Sequence, residues 1–260
     1  MKKRYKWLLI QGCPRSGTTA LTNMLNSHKN MALSYELDLS KTNKGDIAKM
    51  YKSFFIGHKN INSIIFFGDK LPGYCFENIS KLKKRLGIVK IIHISRNPTF
   101  TISSMISRSK NAKLDLDNSW NPDLNIYDSC NHWIYSWNHI NKIKKHSDVL
   151  HLKYEDLIEN PEIEGKKIAE FLDISDQFDT SIIKNKKQQI NLEPSETKIL
   201  NNHLKEIIKK WHLPLEYLMN RFQKIKPIGF FKIRKLILDH KLNFSKIKAK
   251  KQKNENCNFS

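Results

Sequence analysis

A short apolar run, Lys6–Gln11, breaks into Gly12-Cys13-Pro14-Arg15-Ser16-Gly17-Thr18-Thr19 and resumes as the helical segment ALTNMLNSH. No other stretch restricts the fold as much. A strand, a glycine-bounded loop and a helix N-terminus in succession present several backbone N–H groups and a positive dipole end to a phosphate. Gly12 and Gly17 let the backbone curl closely around an anion. Thr18 and Thr19 can cap the helix and donate hydroxyl hydrogen bonds. An ordinary strand–helix turn does not account for Arg15 among small and hydroxyl neighbours such as Ser16.

Further strands are expected at Ile64–Gly68, Ile88–Ser95 and Val149–Tyr154, with a weaker one near Met31–Tyr35. They are short and rich in Ile, Leu, Val or aromatic residues, as buried parallel strands tend to be. Between them the pattern turns helical over Thr18–Ser27, Asp46–His58, Tyr74–Leu86, Pro98–Arg108, Ile126–Lys145, Pro161–Leu172 and Asn201–Trp211. This alternation predicts an α/β fold, a P-loop-type three-layer sandwich with a central parallel sheet and helices on both faces. Segments 57–63 and 109–125 have turn composition and are expected to be loops that carry substrate contacts.

At 260 residues the chain can bury one ample core. The expected organisation is a domain over 1–223 followed by a basic amphipathic extension over 224–260. That extension holds eleven Lys or Arg against two acids, nine of the net charge of +21. Its apolar and basic residues suit peripheral contact with an anionic membrane or a helix packed on the domain. The basic body favours anionic partners, although a Lys-, Asn- and Ile-rich composition accounts for much of the excess. The four cysteines are widely spaced and the histidines lack ligand spacing, so no metal site is expected. The N-terminal apolar stretch, Trp7–Ile10, is too short for a signal segment. The expectation is a cytoplasmic protein, with a membrane-peripheral one as the variant.

The phosphate loop has Walker A spacing, but Thr18 stands where the Walker lysine would reach a triphosphate. A second anchor follows the strand IVKIIHIS, which delivers Arg96. Pro98 opens a helix on which Ser104 and Arg108 are i, i+4 neighbours on one face. Arginine at a strand's C-terminal end, with serine and arginine on the next helix, can grip a second phosphate by charge-assisted hydrogen bonds. Open α/β sheets bind ligands in the crevice beyond those strand ends.

GCPRSGTT, then RNPTFTISS, then KYEDL at 153–157 resemble the sulfotransferase family in identity and order. PRSGTT, LNSH, SSMISR and KYEDL are most similar to tyrosylprotein sulfotransferases and related bacterial enzymes. The resemblance implies 3′-phosphoadenosine-5′-phosphosulfate as sulfuryl donor, adenosine 3′,5′-bisphosphate as product and no metal. It implies that Arg15, Ser16, Gly17, Thr18 and Thr19 hold the 5′-phosphosulfate, and that Arg96, Ser104 and Arg108 hold the 3′-phosphate. Arg15 would stabilise charge on the transferring group, and Lys70 would donate to the bridging or sulfuryl oxygens. Glu36 leads as general base, with Asp38, Asp69, His58 and His93 as competitors. YEDL is read as tying strand to helix, and Trp133 and Trp137 as core.

The expected partner besides the donor is a hydroxyl acceptor: a glycan, a glycolipid, a peptide tyrosine or a small alcohol. A homodimer is left open. Two other readings compete. A P-loop small-molecule kinase would need ATP and magnesium. A non-catalytic basic protein would bind membrane or nucleic acid with salt-sensitive affinity, although no specific nucleic-acid contact is expected.

Overall fold

Strand β1 (Lys6–Gly12) is buried along almost its whole length and lies in the middle of a parallel sheet. It pairs with β3 (Phe66–Pro72) on one side and β4 (Val89–Ser95) on the other. β2 (Met31–Tyr35) and β5 (Val149–Lys153) complete the order β2-β3-β1-β4-β5, every neighbour parallel. The structure, a computed structural model, describes residues 5–36, 60–73, 80, 83, 84, 87, 89–114, 120–184, 190 and 192–211. The helix expected at 46–58, nearly all of that at 74–86, the extension 224–260, Asp38 and His58 lie outside the described residues.

Side chains alternate across β1, and each face is covered by different helices. Leu8 and Ile10 pack with Leu21, Met24 and Leu25 of α1 (Thr18–Ser27). The same core takes Leu157 and Ile158 of α4 (Tyr154–Glu159) and Ile168 and Leu172 of α5 (Pro161–Leu172). On the opposite face, α2 (Pro98–Leu114) packs against α3 (Ile126–Ile143). There Gln11 Oε1 lies 3.2 Å from His139 Nε2, and His93 Nε2 lies 3.1 Å from Ser136 Oγ. Trp133 and Trp137 stack at 5.5 Å between centroids in this layer, as core residues. The fold is therefore the expected three-layer α/β sandwich.

The chain divides into two units, Met1–Lys205 and Glu206–Ser260, and the sheet belongs to the first. Of the second, only the helical residues 206–211 are described. No helix among the described residues is long and apolar enough to cross a membrane.

Several element bounds differ from the sequence reading. β3 begins two residues later and runs through Asp69, Lys70 and Leu71 to Pro72, so Lys70 sits within the strand. Two charged residues are tolerated there because Asp69 Oδ1 accepts from Ser34 Oγ at 2.8 Å, while Lys70 reaches the strand-end crevice. α2 continues to Leu114, so 109–114 are helical rather than loop. Buried Ser109 and Ala112 give that last stretch its inward face. Tyr154 opens α4 instead of ending β5. α6 (Pro194–Trp211) starts ahead of Asn201 because Glu196 Oε2 reaches back to accept the Glu193 N–H at 2.8 Å, with proline in the first turn.

Candidate active site

Because all five strands run the same way, their C-terminal ends share one edge of the sheet, and a cleft of about 220 Å3 opens there. Arg15, Gly17, Thr18, Thr19, Glu36, Lys70, Arg96 and Ser104 all line it. They come from separate segments of the chain. Ser16 stands just behind the wall, fully buried, and its Oγ has no hydrogen-bond partner among the described residues. Arg108 is not part of the lining, yet its charge acts on Arg15.

The loop's shape follows from its glycines. Gly17 holds φ +100, and a Cβ there would run into the Tyr154 ring. At Gly12 a Cβ would collide with the Ile94 carbonyl and Ser16 Oγ. Only hydrogen fits at either point, so loop, β4 and α4 close on one another without a gap. Arg15 itself is left-handed, at φ 68, a region sparsely used by non-glycine residues. Its Nε donates to Ser104 Oγ at 3.2 Å, and its carbonyl accepts from an Arg96 guanidinium N–H at 3.0 Å. The two segments expected to anchor phosphates thus touch directly.

Partial burial, and then the nearby Arg108 charge, push the Arg15 pKa below its usual value. Like charges held together in this way are relieved by an anion. Arg96 also lies over the Tyr154 ring, 4.8 Å from its centroid. Together the glycine cradle, the orphaned Ser16 hydroxyl and the crowded guanidinium groups fit a ligand with two phosphate-type groups.

At another part of the cleft, Lys70 Nζ donates to Glu36 Oε1 at 2.6 Å and to Thr19 Oγ1 at 3.1 Å. The lysine is nearly buried, with its side chain 9% exposed, while the glutamate is 56% exposed and open to an incoming group. Glu36 also has left-handed backbone, φ 61, and its N–H bonds the Lys70 carbonyl at 3.1 Å. Two of the competing bases are placed elsewhere. Asp69 is buried and bonded to Ser34, on the face of β3 opposite to Lys70. His93 is buried against α3, the core histidine that its apolar strand suggested.

Four further residues line the cleft without having been singled out as site residues: Pro14, Pro72, Trp120 and Tyr154. Tyr154 sits immediately after β5 at the same sheet edge, a position that could have marked it. Trp120, alone among polar neighbours in DNSWNPD, is the other aromatic that composition could have flagged. Glu155 of YEDL accepts the Asn97 N–H at 3.0 Å and so holds the turn that carries Arg96.

The family model described as "Sulfotransferase domain" matches residues 71–226, well over half of the chain. The match begins past the phosphate loop, which the sequence resemblance had included. No curated protein matches the chain. Among solved structures, a mouse sulfotransferase, SULT7A1, complexed with PAP shares 16% identity with a TM-score of 0.50. The similarity covers 79% of this chain and 85% of the mouse chain. A sulfotransferase from Alicyclobacillus acidocaldarius shares 14% identity, covering 81% and 97%, with a TM-score of 0.49. The mouse structure agrees in fold, and the family match agrees with the motifs at the sheet edge. This chain belongs to the sulfotransferase family.

Proposed function

We propose that the protein transfers a sulfuryl group from 3′-phosphoadenosine-5′-phosphosulfate to a hydroxyl acceptor, with the cleft at the sheet edge as its active site. The observation that carries this reading is the direct contact of Arg15 with Ser104 and Arg96, which joins a phosphate loop to a second anion anchor. The PAP in the mouse relative's structure is a ligand of the same chemistry, carrying two phosphates on one adenosine.

The donor supplies an activated sulfur whose bond to the 5′-phosphate oxygen is ready to break. The loop amides with Ser16, Gly17, Thr18 and Thr19 hold the 5′ end. Arg96, Ser104 and Arg108 hold the 3′-phosphate. Glu36 takes the proton of the acceptor hydroxyl as that oxygen bonds to sulfur and the sulfur–phosphate-oxygen bond breaks. Lys70 has three N–H donors, and Thr19 and Glu36 use two. The third can meet the leaving oxygen, beside Arg15, where negative charge develops. Positioning and charge stabilisation of this kind supply most of the rate in the analogous phosphoryl transfers.

The test is transfer of radiolabelled sulfate from the donor to a cell extract, with identification of the labelled product. Label that depends on wild type and is lost in Glu36→Gln supports the assignment; equal labelling by both sinks it. Binding of ATP only with magnesium, and no binding of PAP, would replace it with the kinase reading. The acceptor class is read from the labelled product. The 224–260 segment is proposed to add a peripheral contact with anionic membrane. Salt-reversible flotation with phosphatidylserine vesicles, lost on truncation at 223, is the expected result, and flotation that ignores truncation counts against it.

A further inference from the structure

Trp120 lines the cleft beside Ser104 and Arg96, and its indole Nε1–H is buried with no acceptor among the described residues. An indole N–H can only donate. Left unpaired in a protein interior, such a donor is destabilising. The comparison within the molecule is Trp133, whose Nε1–H bonds the Arg96 carbonyl at 3.0 Å. Trp120 has a matching donor and no acceptor for it among the described residues.

The segment carrying Trp120 is tied down. The buried Ser109 hydroxyl donates to the Asn121 carbonyl at 2.9 Å and accepts the Leu124 N–H at 3.1 Å. Asn121 Oδ1 in turn accepts the Asp123 N–H at 3.0 Å. Ser109 follows Arg108 on α2, so Trp120 is anchored to the helix that carries Ser104 and Arg108. Glu36 and Lys70 stand on the other strands' ends, β2 and β3. Trp120 therefore shares its support with the second phosphate anchor, not with the pair assigned to proton transfer.

We propose that the Trp120 indole N–H donates a hydrogen bond to the 3′-phosphate of the donor nucleotide, alongside Arg96, Ser104 and Arg108. This rests on the donor reading above and deepens it. Stacking of the ring on adenine would leave the N–H still unpaired, whereas a phosphate oxygen is an acceptor that a donor-only group can complete. Because the N–H is buried, the ring turns towards the cleft when the phosphate binds.

Calorimetric titration of PAP and of adenosine 5′-phosphate, which lacks the 3′-phosphate, tests this on wild type, Trp120→Phe and Ser104→Ala. Phenylalanine keeps an aromatic face and removes the donor. Trp120→Phe is expected to weaken PAP about ten- to a hundredfold, the loss of a hydrogen bond to a charged group. It should leave adenosine 5′-phosphate within twofold and the unfolding temperature unchanged. Unaltered PAP affinity in Trp120→Phe, with the loss seen in Ser104→Ala, overturns the Trp120 assignment and keeps the donor reading. An equal loss for both ligands also overturns it, in favour of stacking. Failure of wild type to bind PAP removes the donor reading and this inference together.

Discussion

Arg15 and Glu36 are both non-glycine residues held at positive φ, at 68° and 61°. Such backbone costs on the order of 1–3 kcal/mol and persists only where its surroundings over-determine it. For Arg15 the surroundings are Ser104 and Arg96; for Glu36 they are Lys70, bonded through both backbone and side chain. Glu36→Gln keeps the shape and removes the base, so kcat should fall about 10²- to 10⁴-fold with PAP affinity nearly unchanged. Loss of PAP affinity with kcat unchanged would instead make Glu36 a binding residue. Gly17→Ala should cost both stability and donor binding, because its Cβ meets the Tyr154 ring. A melting curve and a PAP titration check it, and a fully stable variant with normal affinity would contradict the packing described.

At the scale of elements, the turn from β4 into α2 is where support is concentrated. Trp133 of α3 holds the Arg96 carbonyl, Glu155 of α4 holds the Asn97 N–H, and Asn97 Oδ1 accepts the Thr99 N–H at 2.9 Å. Trp133→Phe should destabilise the protein by about 1 kcal/mol, the net worth of one hydrogen bond. It should also raise the donor KM severalfold while leaving kcat almost intact; a fall in kcat alone would show that the turn does not position Arg96. Much of this architecture was legible in advance. The β1–loop–α1 unit and the β4–α2 unit each carry local signals: apolar runs, glycines, a proline at a helix start. What was not legible depends on distant partners. β3 looked finished at Gly68 because Asp69 and Lys70 are charged, and only Ser34 on one face and the cleft on the other make them strand residues. Tyr154 read as structural because nothing local says that Gly17 and Arg96 come to meet it.

Over the whole molecule, the layer between the sheet and α3 holds a run of imidazoles. The His93 and His139 rings lie 6.4 Å apart and those of His93 and His151 5.7 Å. Burial, then the Lys144 and Lys153 charges, push His151 down to about 4, against a smaller upward pull from Asp156. Burial, then His151 and His139, push His93 well below its usual value. An unfolded histidine titrates near 6.5, so the unfolded chain binds more protons below that pH. Stability is therefore complete above about pH 6.5 and falls as the pH drops towards 4. His151 alone should account for a loss of about 2 kcal/mol between pH 7 and pH 5. Urea melts at the two pH values measure it, and His151→Gln should flatten the dependence. A slope unchanged by that substitution would place the titration elsewhere.

The position of β1 in the middle of the sheet has a consequence for how the molecule comes into being. Its partners are residues 66–72 and 89–93, both long after it in the chain. On the ribosome the phosphate loop is made before either partner strand, and its strand gains its second neighbour only after β4 has emerged. Long-range parallel pairing of this kind is slow, since loop-closure entropy is spent before contacts repay it. The segment assigned to the 5′ end of the nucleotide must wait, half-framed, for the segment assigned to its other phosphate. Completion of the ligand cleft therefore waits on β4, a strand some eighty residues after β1 in the chain.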